Sequence, residues 1–167
     1  MPNIFVSWTK AKSREFALEI KYLIESLDPH SNVFMSEENI SAGEKVQEKI
    51  IKKIEDCDLL LLCFTKENKK SPWLLYEAGF ACGLNKTVIP LLFDNDPNWH
   101  SWIDNPMNVV REININGADF EASFINCFGL RDSSYTRNVL SNFIKNVENI
   151  KDKYRQVDIQ CEDFVDI

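Results

Sequence analysis

The sequence has little of what metal centres and disulfide-bonded secreted proteins are built from. Its 167 residues contain two histidines, and its five cysteines form no Cys-x-x-Cys pair. A zinc site is therefore not expected, and the odd cysteine count suits a reducing compartment. The N-terminus lacks the charged and then apolar pattern of a signal peptide, and no apolar run approaches the roughly 20 residues of a membrane span. We therefore expect a cytoplasmic protein without a membrane partner.

Positive charge is in deficit as well. Lysine and arginine together number 19 against 26 aspartates and glutamates, which gives a net charge of -7. Because binding to a phosphate backbone requires a basic face, this charge argues against nucleic acid as a main partner. Hydrophobic residues make up 44% of the chain, which is enough for one globular domain with a substantial core.

Glycine is scarce, with five in the chain, and the glycine-rich phosphate motifs are missing. Without Gly-x-Gly-x-x-Gly or Gly-x-x-x-x-Gly-Lys-Ser/Thr, neither a Rossmann dinucleotide site nor a P-loop is supported. The first apolar run ends in Ser7 and Trp8, where a receiver domain would carry acidic residues. Lys10-Ala11-Lys12 is a poor flavin phosphate loop, and two histidines do not supply a Ser-His-Asp or Cys-His set.

Short apolar runs alternate with amphipathic helical patterns along the chain. The predicted strands are Asn3–Trp8, Asn32–Met35, Asp58–Thr65, Thr87–Phe93 and Val109–Ile115. The predicted helices are Ser13–Leu27, Glu44–Ile54, Trp73–Leu84 and Tyr135–Tyr154, and residues 155–167 are expected to be a tail or linker after a domain of residues 1–154. This alternation predicts an α/β fold, an open parallel sheet with helices on both faces. Pro90 weakens the fourth strand because proline lacks a ladder donor.

Glu77 is the only charged residue between Trp73 and Leu84. Ser71 and Pro72 are typical of a helix start, which places Trp73 and Glu77 on one helix face at i and i+4. A lone carboxylate is costly to bury in an apolar helix, so its presence indicates use. An exposed helix carboxylate or a buried ion pair also fits the spacing. An aromatic plane beside a desolvated carboxylate suits a cationic ring or an oxocarbenium-like sugar.

In a five-stranded sheet of order 2-1-3-4-5, the ligand crevice lies at the carboxyl ends of strands one and three. Ser7, Trp8, the loop Ser36–Gly43 and the helix of Glu77 are expected to meet there. Trp73 either stacks on a substrate or packs in the core. Two glycines of the Glu77 helix, Gly79 and Gly83, are expected to allow close packing against the sheet.

Four stretches of the chain together resemble a Toll/interleukin receptor (TIR) domain of the bacterial type found in antiphage defence. They are Asn3–Trp8, Ile40–Glu44, Asp58–Thr65 and Ser71–Gly79, and the resemblance covers Pro2 to Tyr154. It implies a flavodoxin-like fold and cleavage of the nicotinamide–ribose bond of NAD, with Glu77 as the catalytic residue and Trp73 as the aromatic residue beside it. The implied products are nicotinamide and either ADP-ribose or a cyclic isomer. No metal or cofactor is implied, because nicotinamide leaves as a neutral molecule.

The resemblance also implies self-assembly, in which the loop Ser36–Gly43 of one copy completes the site of its neighbour. Many members carry Arg-Asp and Pro-Gly in that loop, whereas this sequence has Glu37-Glu38-Asn39 and Ala42-Gly43. NAD carries a pyrophosphate, so nearby cations must offset the acidic charge of the protein. The predicted substrate-binding residues are Ser7, Trp8, Lys10, Arg14, Ser36, Gly43, Lys45 and Trp73, with Lys12 a further candidate cation.

Two other functions stay open at this point. One is a non-catalytic TIR scaffold that recruits partners, and the other is a nucleoside N-glycosidase of similar fold. A sensor or effector domain on a longer or separate chain is compatible with each of them.

Overall fold

The structure is a computed structural model that describes residues 2–36, 46–95 and 112–162. Its strands are β1 (Asn3–Ser7), β2 (Asn32–Met35), β3 (Leu59–Phe64), β4 (Thr87–Leu92) and β5 (Ile113–Asn114). Its helices are α1 (Ala11–Leu27), α2 (Val46–Asp56), α3 (Pro72–Gly83), α4 (Phe120–Phe128) and α5 (Ser134–Glu162). The strands pair in parallel in the order β2-β1-β3-β4-β5, which confirms the predicted fold class.

The sheet separates two hydrophobic layers. Alternate strand residues point to opposite faces, so Ile4 and Val6 of β1 pack with α1, α4 and α5, whereas Phe5 packs with α2 and α3. The central strand β3 divides its side chains in the same way and is buried on both faces. The carboxyl ends of β1 and β3 lie side by side, at the point where the direction of strand order reverses.

The edge of the sheet differs from the prediction. β5 spans Ile113–Asn114 and pairs with Leu91 and Leu92 of β4, whereas the predicted strand ran from Val109; residues 109–111 lie outside the described part of the chain. Pro90 belongs to β4 and is paired with Leu62 of β3. Within the described residues, β5 pairs with β4 only after Pro90. Pro90 therefore has a strand neighbour on one side, β3, and its missing N–H is tolerated as at a sheet edge.

The helices also depart from their predicted bounds. α1 begins at Ala11, two residues earlier than predicted, and α2 ends at Asp56, two residues later than predicted. The predicted start of α2, Glu44, lies outside the described residues. α4 was not predicted, although its three phenylalanines at i, i+4 and i+8 contact one another in sequence and Gly129 ends it with a φ of 59°. α5 continues to Glu162 rather than Tyr154. None of the helices in the described ranges is long and apolar enough to cross a membrane.

The packing expected of the two glycines in α3 is wrong. Gly79 and Gly83 are both exposed, and a Cβ added at either would meet no atom within 4 Å. The buried face of α3 consists instead of Leu74, Glu77, Ala78 and Ala81. The two glycines therefore lie on the side of the helix turned away from the sheet.

Candidate functional site

The start of α3 orients Glu77 toward the sheet. The Ser71 side chain accepts a hydrogen bond from the Leu74 N–H at 3.5 Å, and Pro72 occupies the first turn, as predicted. Leu74 and Ala78 then pack on the β3 face. Glu77 lies between them in sequence and on the same side of the helix, so its carboxyl group enters the layer between α3 and the carboxyl end of β1.

Glu77 is fully buried, with 0% of the residue exposed. Its Oε2 accepts a hydrogen bond from the Ser7 hydroxyl, and its Oε1 has no hydrogen-bond partner among the described residues. Burial raises the pKa of Glu77 from 4.5 to about 7, while the polar contacts of Ser7 and Trp73 act in the opposite direction. These facts set aside both alternatives left by the sequence, since the carboxylate is neither exposed nor, in the described part of the chain, a member of an ion pair.

Trp73 packs in the core, one of the two roles considered for it, and its stacking on a substrate stays a prediction. The ring is half-buried, packs against the layer under α3, and stacks on Tyr76 with centroids 5.9 Å apart. Its side chain also contacts Glu77 closely enough to lower the pKa of that carboxyl group. Trp73 is therefore a wall of the candidate site that is held in place by core packing.

Ser7 and Ser36 lie together at the predicted crevice, whereas Trp8 faces the other way. Ser7 and Ser36 are buried at the ends of adjacent strands, and Ser36 Oγ accepts from the Trp8 N–H at 3.3 Å. The Trp8 ring is 4% exposed and packs in the α1 layer, on the face of the sheet opposite Glu77. Gly43 and Lys45 lie outside the described residues.

The three cations after β1 are already engaged. Lys10 Nζ donates to the Glu67 carbonyl at 2.6 Å, and Arg14 lies over the Trp8 ring at 5.6 Å. Lys12 Nζ lies 3.1 Å from Glu67 and 3.2 Å from Asp94. Their roles in substrate binding stay predictions. To bind a substrate phosphate, each cation would have to leave its present contact.

The turn between β1 and α1 is strained. Lys10 has φ 69° and ψ 155°, a region that residues with a side chain rarely adopt. Such strain concentrates at functional sites, where surrounding contacts hold it in place. A role of this turn in the candidate site stays a prediction.

Asn68 ties the turn to the neighbouring strand and was not among the predicted site residues. Asn68 is 1% exposed; its Oδ1 accepts from the Thr65 N–H at 2.7 Å. Its Nδ2 donates to the carbonyls of Thr9 at 3.1 Å and Cys63 at 3.0 Å. An asparagine shortly after a strand end is a known turn signal, but the contact of Asn68 with the end of β1 depends on the sheet order.

Metal ligands do not cluster in the described part of the chain, where no three His, Cys, Asp or Glu side chains are placed to hold an ion. The arrangement around Glu77 offers instead one desolvated carboxyl group, held by Ser7 at Oε2, bordered by Trp73, and without a hydrogen-bond partner at Oε1 among the described residues. A carboxyl group with a pKa near neutrality can accept a proton or stabilise a neighbouring positive charge.

These features define an α/β domain with a buried carboxylate at the switch point of a parallel sheet. The family model for the TIR domain matches residues 4–125, and the chain belongs to the TIR domain family. Comparison with curated proteins gives no match.

Three solved structures are similar to the chain at low identity. The CMP N-glycosidase BcmB of Clostridium botulinum is 19% identical, with a TM-score of 0.48, covering 75% of this chain and 98% of its own. The TIR domains of the activated Roq1 resistosome, which recognises the pathogen effector XopQ, are 18% identical, with a TM-score of 0.49 and coverages of 94% and 99%. The azoreductase AzrA is 11% identical, with a TM-score of 0.42 and coverages of 88% and 99%. These likenesses say nothing about the substrate of this chain.

Proposed function

We propose that this TIR domain cleaves the nicotinamide–ribose bond of NAD, with Glu77 as the catalytic residue. The observation that carries the proposal is the state of the Glu77 carboxyl group: fully buried, held at Oε2 by Ser7, and without a described partner at Oε1. A buried polar atom without a partner is costly. A substrate hydroxyl group or a developing positive charge would supply the missing interaction.

The proposed chemistry uses this single carboxylate. When the bond between the ribose anomeric carbon and the nicotinamide nitrogen breaks, its electron pair stays with nicotinamide, which leaves neutral. Positive charge then develops on the ribose, and its hydrogen bonds to the Glu77 carboxylate strengthen in the transition state. Water adds to the anomeric carbon and releases one proton, giving ADP-ribose; attack by the adenine ring gives a cyclic isomer instead. The reaction as proposed uses NAD as substrate and no cofactor.

The setting we propose is the bacterial cytoplasm, in antiphage defence, with activity switched on by TIR–TIR self-association. The family membership supports self-association, and the reduced cysteines of the described residues, Cys57, Cys63, Cys82 and Cys127, are compatible with a reducing compartment. A sensor domain elsewhere would supply the trigger.

A concentrated sample incubated with NAD tests the proposal. We expect nicotinamide release from the wild-type protein and a loss of about 100-fold or more in Glu77→Gln, because the amide cannot carry the stabilising charge. Glu25→Gln is the matched control, since it removes a half-exposed carboxylate of α1 that pairs with Lys21 at 3.6 Å. Chromatography of the products separates ADP-ribose from a cyclic isomer. Equal rates in wild-type and Glu77→Gln proteins would overturn the proposal.

One observation favours the scaffold as a second candidate. Glu77 is 0% exposed and the nearby cations are engaged, so a substrate has no access to the carboxylate without rearrangement. A scaffold would assemble, as seen by light scattering, without consuming NAD at any concentration. Competition by free nucleosides in the same assay distinguishes a nucleoside N-glycosidase from both.

A further inference from the structure

Ser7 reaches Glu77 because of strand parity. It is the last residue of β1, and Phe5, two residues before it, points into the layer under α3. Ser7 shares that face, and its register partner on β3 is Leu62, which lies in the same layer. The hydroxyl group therefore points toward α3 from a strand end that is fully buried.

The contact makes the two oxygens of Glu77 different. A serine hydroxyl has one proton to donate, and in this structure it goes to Oε2. Oε1 is left without a partner among the described residues. A carboxyl group fixed at one oxygen cannot rotate freely about its terminal torsion, so the direction of the other oxygen is fixed as well.

We propose that Ser7 is a positioning residue, which holds Oε2 of Glu77 so that Oε1 alone faces the reacting ribose. The role rests on the proposed function, because it gives Ser7 a task in the same reaction. It replaces the direct substrate contact expected for Ser7 from its place at the crevice, since its hydroxyl proton is already donated.

No charged side chain of the described residues helps Glu77 to ionise, so the hydrogen bond from Ser7 is important for its ionisation. Burial raises the pKa of Glu77, and the contacts of Ser7 and then Trp73 lower it; no charged side chain of the described residues contributes to the shift. The charged groups that follow β1, β3 and β4, namely Lys10, Lys12, Arg14, Glu67 and Asp94, are engaged with one another, with backbone or with Trp8. Ser7 is thus the strongest side-chain contribution that favours the carboxylate form.

Titration of the Glu77 carboxyl carbon by NMR tests the inference in the intact protein, with the signal assigned by its loss in Glu77→Gln. In Ser7→Ala we expect the pKa of Glu77 to rise, which corresponds to a fall of about ten-fold in its acid ionisation constant. Ser13→Ala is the matched control, because Ser13 is also 0% exposed and donates one hydrogen bond, to the Cys63 carbonyl at 2.7 Å, in the layer of α1. Ser7→Thr keeps the hydroxyl and should restore the wild-type titration.

The pH dependence of NAD turnover provides the second measurement. In Ser7→Ala we expect the acid limb of kcat/KM to move to higher pH with the titration, and kcat to fall about ten-fold while KM changes less. If the pKa of Glu77 is the same in Ser7→Ala and in wild type, the inference is overturned. This outcome does not depend on whether Ser7→Thr folds. A shifted titration without turnover in any of the proteins overturns NAD cleavage while supporting the Ser7 contact.

Discussion

Glu77 carries an energetic cost that should be visible in the stability of the protein. Its ordinary pKa of 4.5 applies to the unfolded chain, and burial raises the folded value to about 7. The folded protein therefore holds a proton that the unfolded chain releases, and the free energy of unfolding falls as pH rises from about 4.5 to about 7. Below that window the group has no such effect, and above it the cost of the buried charge is complete.

Replacing Glu77 by glutamine removes this titration and keeps the shape of the side chain. We expect Glu77→Gln to be more stable than wild type at pH 8.5, and the gap between the two proteins to widen by about 2 kcal/mol between pH 5.5 and pH 8.5. Urea unfolding at the two pH values measures it. Glu25→Gln, which removes a half-exposed carboxylate of α1, is the control. A pH-independent gap in Glu77→Gln would mean that the carboxyl group titrates normally.

Sequence reasoning could find Glu77 but not its partner. The glutamate stood out because a charge among apolar neighbours is visible within one helix. Ser7 was placed at the crevice correctly, but its hydrogen bond joins residues 70 positions apart and depends on strand parity and helix rotation together. Trp8, its neighbour in sequence, points to the opposite face for the same reason.

At the scale of elements, α3 is the part that sets the direction of Glu77, and its first turn depends on Ser71. We expect Ser71→Ala to lower the free energy of unfolding by about 0.5–1 kcal/mol, because the Leu74 N–H loses its side-chain acceptor. Ser71→Asp keeps an acceptor and places negative charge at the helix start, so it should match or exceed wild-type stability. Chemical unfolding of the three proteins measures the difference. Equal losses in both variants would show that the lost stability does not come from the missing acceptor.

The elements that were predicted best are those with a strong internal pattern. β3 is an unbroken apolar run, and α1 carries a regular apolar stripe, so both were found within two residues of their ends. The end of α5 was wrong because the prediction stopped where the apolar stripe stops, near Ile150. Beyond it, Lys153 pairs with Glu15 at 2.6 Å and Arg155 with Asp152 at 2.9 Å. Polar contacts of this kind continue a helix without leaving an apolar signal.

For the molecule as a whole, the parallel order brings the ends of β1 and β3 together and the strand ends are then tied by side chains. Asn68 links the Thr9 carbonyl to the end of β3, and Ser36 links the end of β2 to β1. The strand order was predictable from the alternation of elements and the family resemblance. The ties were not, because each depends on residues that become neighbours only in the folded sheet.

The closed state of Glu77 also predicts how activity depends on protein concentration. A carboxylate with no exposure in one chain needs a change before substrate can reach it, and the proposed change is association of copies. Each copy carries a net charge of -7, so copies repel, and salt shortens the range of that repulsion from about 10 Å at 0.1 M to about 3 Å at 1 M. We expect NAD turnover per molecule to rise with protein concentration, and light scattering to show assembly at lower concentration in higher salt.

Glu77→Gln should assemble in the same way without turnover. Constant turnover per molecule across the series, with scattering that reports single chains, would show that one copy opens its own site.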